Sequence, residues 1–183
     1  MALKYFLLFY QIILSIKFID CEKSVFDFSV KDADGNSLHL SDFSGKVLLF
    51  TNVASECGYT DSHYKMYVKL QEKYGPKGFQ ILAFPCNDFG KQEPQTSDKV
   101  FKWAKSVYNV NFPILHKISL LSKDKTTPDV WNYLLDQSEY PGWNFWKYIT
   151  GSDGRLVEYL DNFQMDDVIE PIIIKALNTK EDL

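Results

Sequence analysis

The most constraining feature of this 183-residue chain is a pair of apolar runs on either side of a single helix-like stretch. Val47 to Val53 and Phe79 to Phe84 are almost wholly apolar. Between them, Asp61 or Ser62 can cap a helix that runs to about Tyr74, where Gly75-Pro76 stops it. Short apolar runs without polar alternation read as strands covered on both faces. Two such strands joined through a helix lie parallel, with a right-handed crossover.

The remaining segments extend that unit. Val25 to Val30 and Leu38 to Leu40 flank Asp34-Gly35, a hairpin signal. Ser97 can cap a helix to about Val107, and Pro128 suits the first turn of a helix ending near Asp136. Phe145 to Thr150 and Arg155 to Leu160 flank Gly151-Ser152-Asp153-Gly154 as a second hairpin. Asp166 caps a last helix to about Leu177, with Pro171 as an irregularity. This order predicts an α/β, thioredoxin-like fold. Its central mixed sheet carries helices on both faces, with an N-terminal hairpin beside it. Neither an internal repeat nor a low-complexity linker interrupts residues 22–183, which read as one domain.

Sites in such sheets form at the carboxyl ends of the strands. Cys57 follows the first strand and Cys86 the second. A thiol between a strand and a helix N-terminus meets unpaired N–H groups and the positive end of the helix dipole, which favour the thiolate. A buried cysteine acting as a small hydrophobe is the competing reading for Cys57 at this point.

Composition narrows the partners. The net charge is −4 with no basic cluster, which argues against nucleic acid. Nineteen of the twenty basic residues are lysines and Arg155 is the one arginine, a poor equipment for clamping carboxylates or phosphates. His39, His63 and His116 are scattered without zinc-ligand spacing, so no metal and no cofactor is expected. Met1 to Ile16 has one early lysine and an apolar core shorter than the ~20 residues a membrane span needs, so residues 1–21 read as a cleaved signal peptide rather than a membrane anchor. Cleavage would leave a net charge of −5 and could remove Cys21. The tail Lys180-Glu181-Asp182-Leu183 is one transposition from the Lys-Asp-Glu-Leu retention address. Leader and tail together predict the lumen of the endoplasmic reticulum, an oxidising compartment where Cys57 and Cys86 could cycle. No Asn-x-Ser/Thr sequon is present.

Three polar loops carry the chemistry-bearing residues: Asn52 to Thr60 around Cys57, Phe84 to Pro94 with Cys86 and Gln92, and Trp143 to Tyr148 with Trp143 and Asn144. In combination, over about residues 24–178, they resemble the glutathione peroxidase family. The resemblance implies that Cys57 is the nucleophile, where other members carry cysteine or selenocysteine. It also implies that Gln92, Trp143 and Asn144 complete a catalytic tetrad. Neutral amide and indole donors stabilise a thiolate and a developing oxyanion without adding negative charge. The expected reaction is attack of the Cys57 thiolate on the terminal oxygen of hydrogen peroxide or of an organic or lipid hydroperoxide.

Two departures from the family pattern stand out. Asp88 occupies a place where glutamine is usual, and it is expected to point to solvent. The helix from Ser97 to Val107 lacks the resolving cysteine of many cysteine-type members, so Cys86 is the remaining candidate for that role, against the alternative of an inert structural thiol. The loop from Asp136 to Trp143 is short, which by the same resemblance predicts a monomer with an open site. Leader, tail and motifs together look most like the endoplasmic-reticulum branch, vertebrate types seven and eight. That likeness implies a protein disulfide isomerase as reductant, without stable membrane insertion. A plain glutathione- or thioredoxin-dependent phospholipid hydroperoxide peroxidase is the second reading. A non-enzymatic redox sensor or chaperone partner is the third.

Overall fold

The structure, a computed structural model, describes residues 23–121 and 127–179. The leader 1–21 with Cys21, and the tail 180–183, lie outside the described residues. Among the described residues no helix is long and apolar enough to cross a membrane.

A two-stranded antiparallel hairpin, β1 (Ser29–Lys31) and β2 (Ser37–His39), opens the fold. Then come β3 (Val47–Val53), α1 (Thr60–Tyr74), β4 (Phe79–Pro85), α2 (Ser97–Tyr108), α3 (Asp129–Leu135), β5 (Lys147–Thr150), β6 (Leu156–Leu160) and α4 (Asp166–Asn178). The main sheet has the order β4-β3-β5-β6. The β3–β4 pair is parallel; β3–β5 and β5–β6 are antiparallel. The expected βαβ unit, terminal hairpin and last helix are therefore all present, in a thioredoxin-like arrangement.

All seven residues of β3 are buried, as its apolar run requires of a central strand. Its alternating side chains feed two cores. Val47, Leu49 and Val53 pack with Tyr64, Tyr67 and Leu70 of α1 and Ile169 and Ile173 of α4. Leu48 and Phe50 pack on the other face with Val130, Trp131 and Leu134 of α3. Each such side chain contributes roughly 1.5–3 kcal/mol through its removal from water.

Element boundaries depart from expectation where a side chain found a better partner than a cap. Helix α1 begins at Thr60, whose hydroxyl closes the preceding loop, so neither Asp61 nor Ser62 caps it. Ser97 lies inside α2; its hydroxyl accepts the Lys117 N–H at 2.8 Å instead of capping the helix. Asp166 likewise falls inside α4 behind Met165, and α4 runs on past Pro171. Val25 to Asp27 forms a 3₁₀ turn rather than strand, with Ser24 and Asp27 as a capping box. Strand β5 starts only at Lys147, because Phe145 has φ +70°, outside the extended region.

Candidate active site

Cys57 lies four residues beyond the end of β3 and three before α1, with 8% of its surface exposed. Thr60 shapes this loop. Its hydroxyl donates to the Ala54 carbonyl at 2.7 Å and accepts the Cys57 N–H at 3.1 Å, while the Thr60 N–H donates to the Cys57 carbonyl at 3.0 Å. The backbone that carries the thiol is thus held in a closed turn at a helix N-terminus.

The loop after β4 docks onto this turn. The Glu56 N–H donates to the Gln92 carbonyl at 2.9 Å. One residue on, the buried carboxyl of Glu93 accepts the Ser55 hydroxyl at 2.7 Å. Gly90 (φ +66°) and Lys91 (φ +56°) turn the chain sharply just before Gln92. A β-carbon on Gly90 would meet the Trp143 ring at 3.2 Å and the Gln92 side chain at 3.4 Å, so indole and amide converge over this bend.

The third loop is anchored by Asn52, the sixth residue of β3. Its carbonyl accepts the Phe145 N–H at 2.7 Å; its side chain donates to the Trp143 carbonyl and accepts the Trp146 N–H, both at 3.0 Å. Fully buried Asn144 donates to the Gln92 side-chain oxygen at 3.0 Å and to the Phe89 carbonyl at 3.3 Å. Trp143 stays 36% exposed beside Phe89. The structure therefore brings Gln92, Trp143 and Asn144 together and ties their loops to the Cys57 turn.

Cys86 is placed differently. It is wholly buried and packs in the core on the far face of the sheet, with Leu82, Phe84 and Trp131, whereas Cys57 belongs to the near-face core. Both thiols are free. Burial pushes the Cys86 thiol up to about 12.

Asp88 corrects an expectation. Its carboxylate does not run to solvent but accepts the Ser119 hydroxyl and the Leu120 and Leu121 N–H groups, pinning the 119–121 segment. Three donors within reach outcompete water for a half-buried carboxylate. Thr60 and Glu93 were not legible as site residues. A threonine three residues after Cys57, and a carboxylate directly after Gln92, were the available signals. Burial raises the pKa of Glu93, and its second oxygen and the Tyr64 hydroxyl are both buried without a hydrogen-bond partner.

A thiol at a helix N-terminus of a thioredoxin-like sheet, its turn bonded through Glu56 to the loop that carries Gln92, defines a thiol-dependent redox protein. The family model "Glutathione peroxidase" matches residues 25–135. "Probable glutathione peroxidase 8" of Homo sapiens is 39% identical over 178 residues, 93% of this chain and 84% of the relative. Human "Glutathione peroxidase 7" is 38% identical, over 83% of this chain and 81% of its own length. Among solved structures, GPX1 of T. cruzi aligns with a TM-score of 0.68 at 30% identity, over 85% of this chain and 97% of that one. A thioredoxin-family thiol:disulfide interchange protein from Chlorobium tepidum aligns at 0.64 with 14% identity over 82% of this chain and 92% of its own, which shows the fold alone. The chain belongs to the glutathione peroxidase family and is a peroxidase of hydroperoxides.

Proposed function

We propose that Cys57 is the peroxidatic nucleophile, with Gln92, Trp143 and Asn144 as its polar surround. The observation that carries this reading is the convergence of three loops: Glu56 N–H on the Gln92 carbonyl, and Asn144 on the Gln92 amide. The Cys57 thiolate attacks the terminal oxygen of the hydroperoxide. An S–O bond forms as the O–O bond breaks. The leaving oxygen departs as water or alcohol after taking a proton, and Cys57 is left as a sulfenic acid, oxidised by two electrons. Amide and indole donors lower the barrier where the negative charge moves from sulfur to oxygen.

A thiol must then attack the sulfenic sulfur and expel water. The burial of Cys86 on the opposite face supports a one-cysteine cycle, in which a partner's thiol forms the mixed disulfide with Cys57 and the partner's second thiol resolves it. The signal-like leader and Lys-Glu-Asp-Leu tail favour a dithiol protein of the endoplasmic reticulum, of the protein disulfide isomerase kind, as that partner. The chain acts there as a monomer. Poverty in arginine speaks against tight glutathione binding.

Stopped-flow tryptophan fluorescence of reduced protein mixed with hydrogen peroxide tests this. A fast phase lost in Cys57→Ser and kept in Cys86→Ser is the expected result. A second phase lost in Cys86→Ser would establish an internal disulfide instead. Absence of any fast phase in wild type would overturn the assignment to Cys57.

A further inference from the structure

Lys147 has no exposed surface, and Ile149, two positions on and on the same face of the strand, packs in the apolar core. Its amine donates to the carbonyls of Asp161 and Gln164, each at 2.8 Å, and lies 3.2 Å from His63 Nε2. Three acceptors match the three protons of an ammonium; burial pulls its pKa down to about 7, and the Asp161 carboxylate works against that by favouring the charged form. Because an ammonium only donates, Nε2 must accept and the ring proton lies on Nδ1. Nδ1 then donates to the Tyr59 carbonyl at 2.9 Å, with the Ser62 hydroxyl 3.4 Å away. His63 is fully buried and stacks on Phe145 at 4.7 Å. One path thus runs from the Trp143–Asn144 loop, through Lys147 and His63, to the turn that presents Cys57.

All three partners of the ammonium are neutral groups. Its titratable neighbours are His63, on whose ring Tyr59 and Tyr67 pack, and Asp161 in the turn after β6. Asp161 gives the ammonium its carbonyl, while its carboxylate accepts the Phe163 N–H at 2.8 Å. Burying a charge costs several kcal/mol, and an apolar residue of similar volume is often as stable or more so. A buried cation with no carboxylate bonded to it, on the Cys57 face of the sheet, therefore asks for a role.

Resting on the assignment of Cys57 as nucleophile, we propose that Lys147 is a positioning residue. Through His63 it holds the Cys57 turn against the Trp143–Asn144 loop.

The test measures Cys57 alkylation by iodoacetamide against pH, read at the Cys57 peptide by mass spectrometry, beside the rate constant with hydrogen peroxide and the melting temperature. Lys147→Met should keep its melting temperature and slow both Cys57 alkylation and peroxide reduction at neutral pH about tenfold, the scale of a displaced reacting group. His63→Gln, which can still accept from Lys147 and donate to Tyr59, should retain the rate; His63→Leu should not. A folded Lys147→Met with an unchanged alkylation profile overturns the proposal. Should Lys147→Met fail to fold, equal rates for His63→Gln and His63→Leu overturn it. A wild-type Cys57 inert to peroxide would overturn the nucleophile assignment alone, since alkylation still reports the effect of Lys147 on the thiol.

Discussion

The Asn144 side chain donates to the side-chain oxygen of Gln92 at 3.0 Å, and this contact orients the Gln92 amide. With its oxygen turned to Asn144, Gln92 has its N–H groups on the other side of the amide, free to donate elsewhere. An amide in the opposite orientation would present a carbonyl to the thiolate and repel it.

Asn144→Asp replaces that donor with an acceptor. Gln92 must then turn its N–H groups toward the introduced carboxylate, which withdraws them from the donor role proposed for them. Peroxide reduction should fall about a hundredfold, the scale of losing one preorganised donor, and stopped-flow fluorescence measures it. Asn144→Asp at wild-type rate would show that the Gln92 orientation is irrelevant.

Gly90→Ala adds a β-carbon at φ +66°, 3.2 Å from the Trp143 ring. The strained backbone and the displaced indole should cost about 1–2 kcal/mol in stability. The peroxide rate should fall in the same variant, because the Gln92 side chain lies 3.4 Å from the same carbon. Thermal melts and single-turnover rates report the two effects separately.

His63 carries a pH signature. Burial, aided by Lys147, lowers its pKa from the ordinary 6.5 to about 4. Between those values the unfolded chain binds a proton that the folded chain refuses. The contribution of His63 to stability is therefore full above pH 6.5 and is lost as pH falls towards 4, up to about 3 kcal/mol. Urea melts across that range should show a drop that is reduced in His63→Gln.

Glu93 has the opposite sign. Burial raises its pKa, so the folded chain keeps a proton that the unfolded chain has released. Its stabilising contribution is present below the ordinary glutamate range and lost as pH rises through the raised value. Glu93→Gln should remove that dependence and keep the Ser55 bond, whereas Ser55→Ala should lose about 1 kcal/mol through the broken clamp. Urea melts of the two variants against pH separate these effects.

Much of the fold was written in local patterns. Val47–Val53 is uninterrupted because both faces of a central strand are covered, and the stop at Gly75-Pro76 fell where α1 ends. Helix starts were less legible, since Thr60 and Ser97 spend their hydroxyls on tertiary partners rather than on caps. The bend at Phe145 was not legible at all: its positive φ is imposed by Asn52, far earlier in the chain, which bonds to both sides of it.

For this protein the sequence alone determined the strand–helix–strand frame and the family motifs around Cys57, Gln92, Trp143 and Asn144, because periodicity and short-range spacing are local properties. Tertiary structure decided that Cys57 and Cys86 feed different cores, that Asp88 binds the 119–121 segment, and that Lys147 and His63 meet beneath the Cys57 turn. These outcomes depend on which face of a strand each side chain takes and on which distant donors and acceptors satisfy one another once water is excluded.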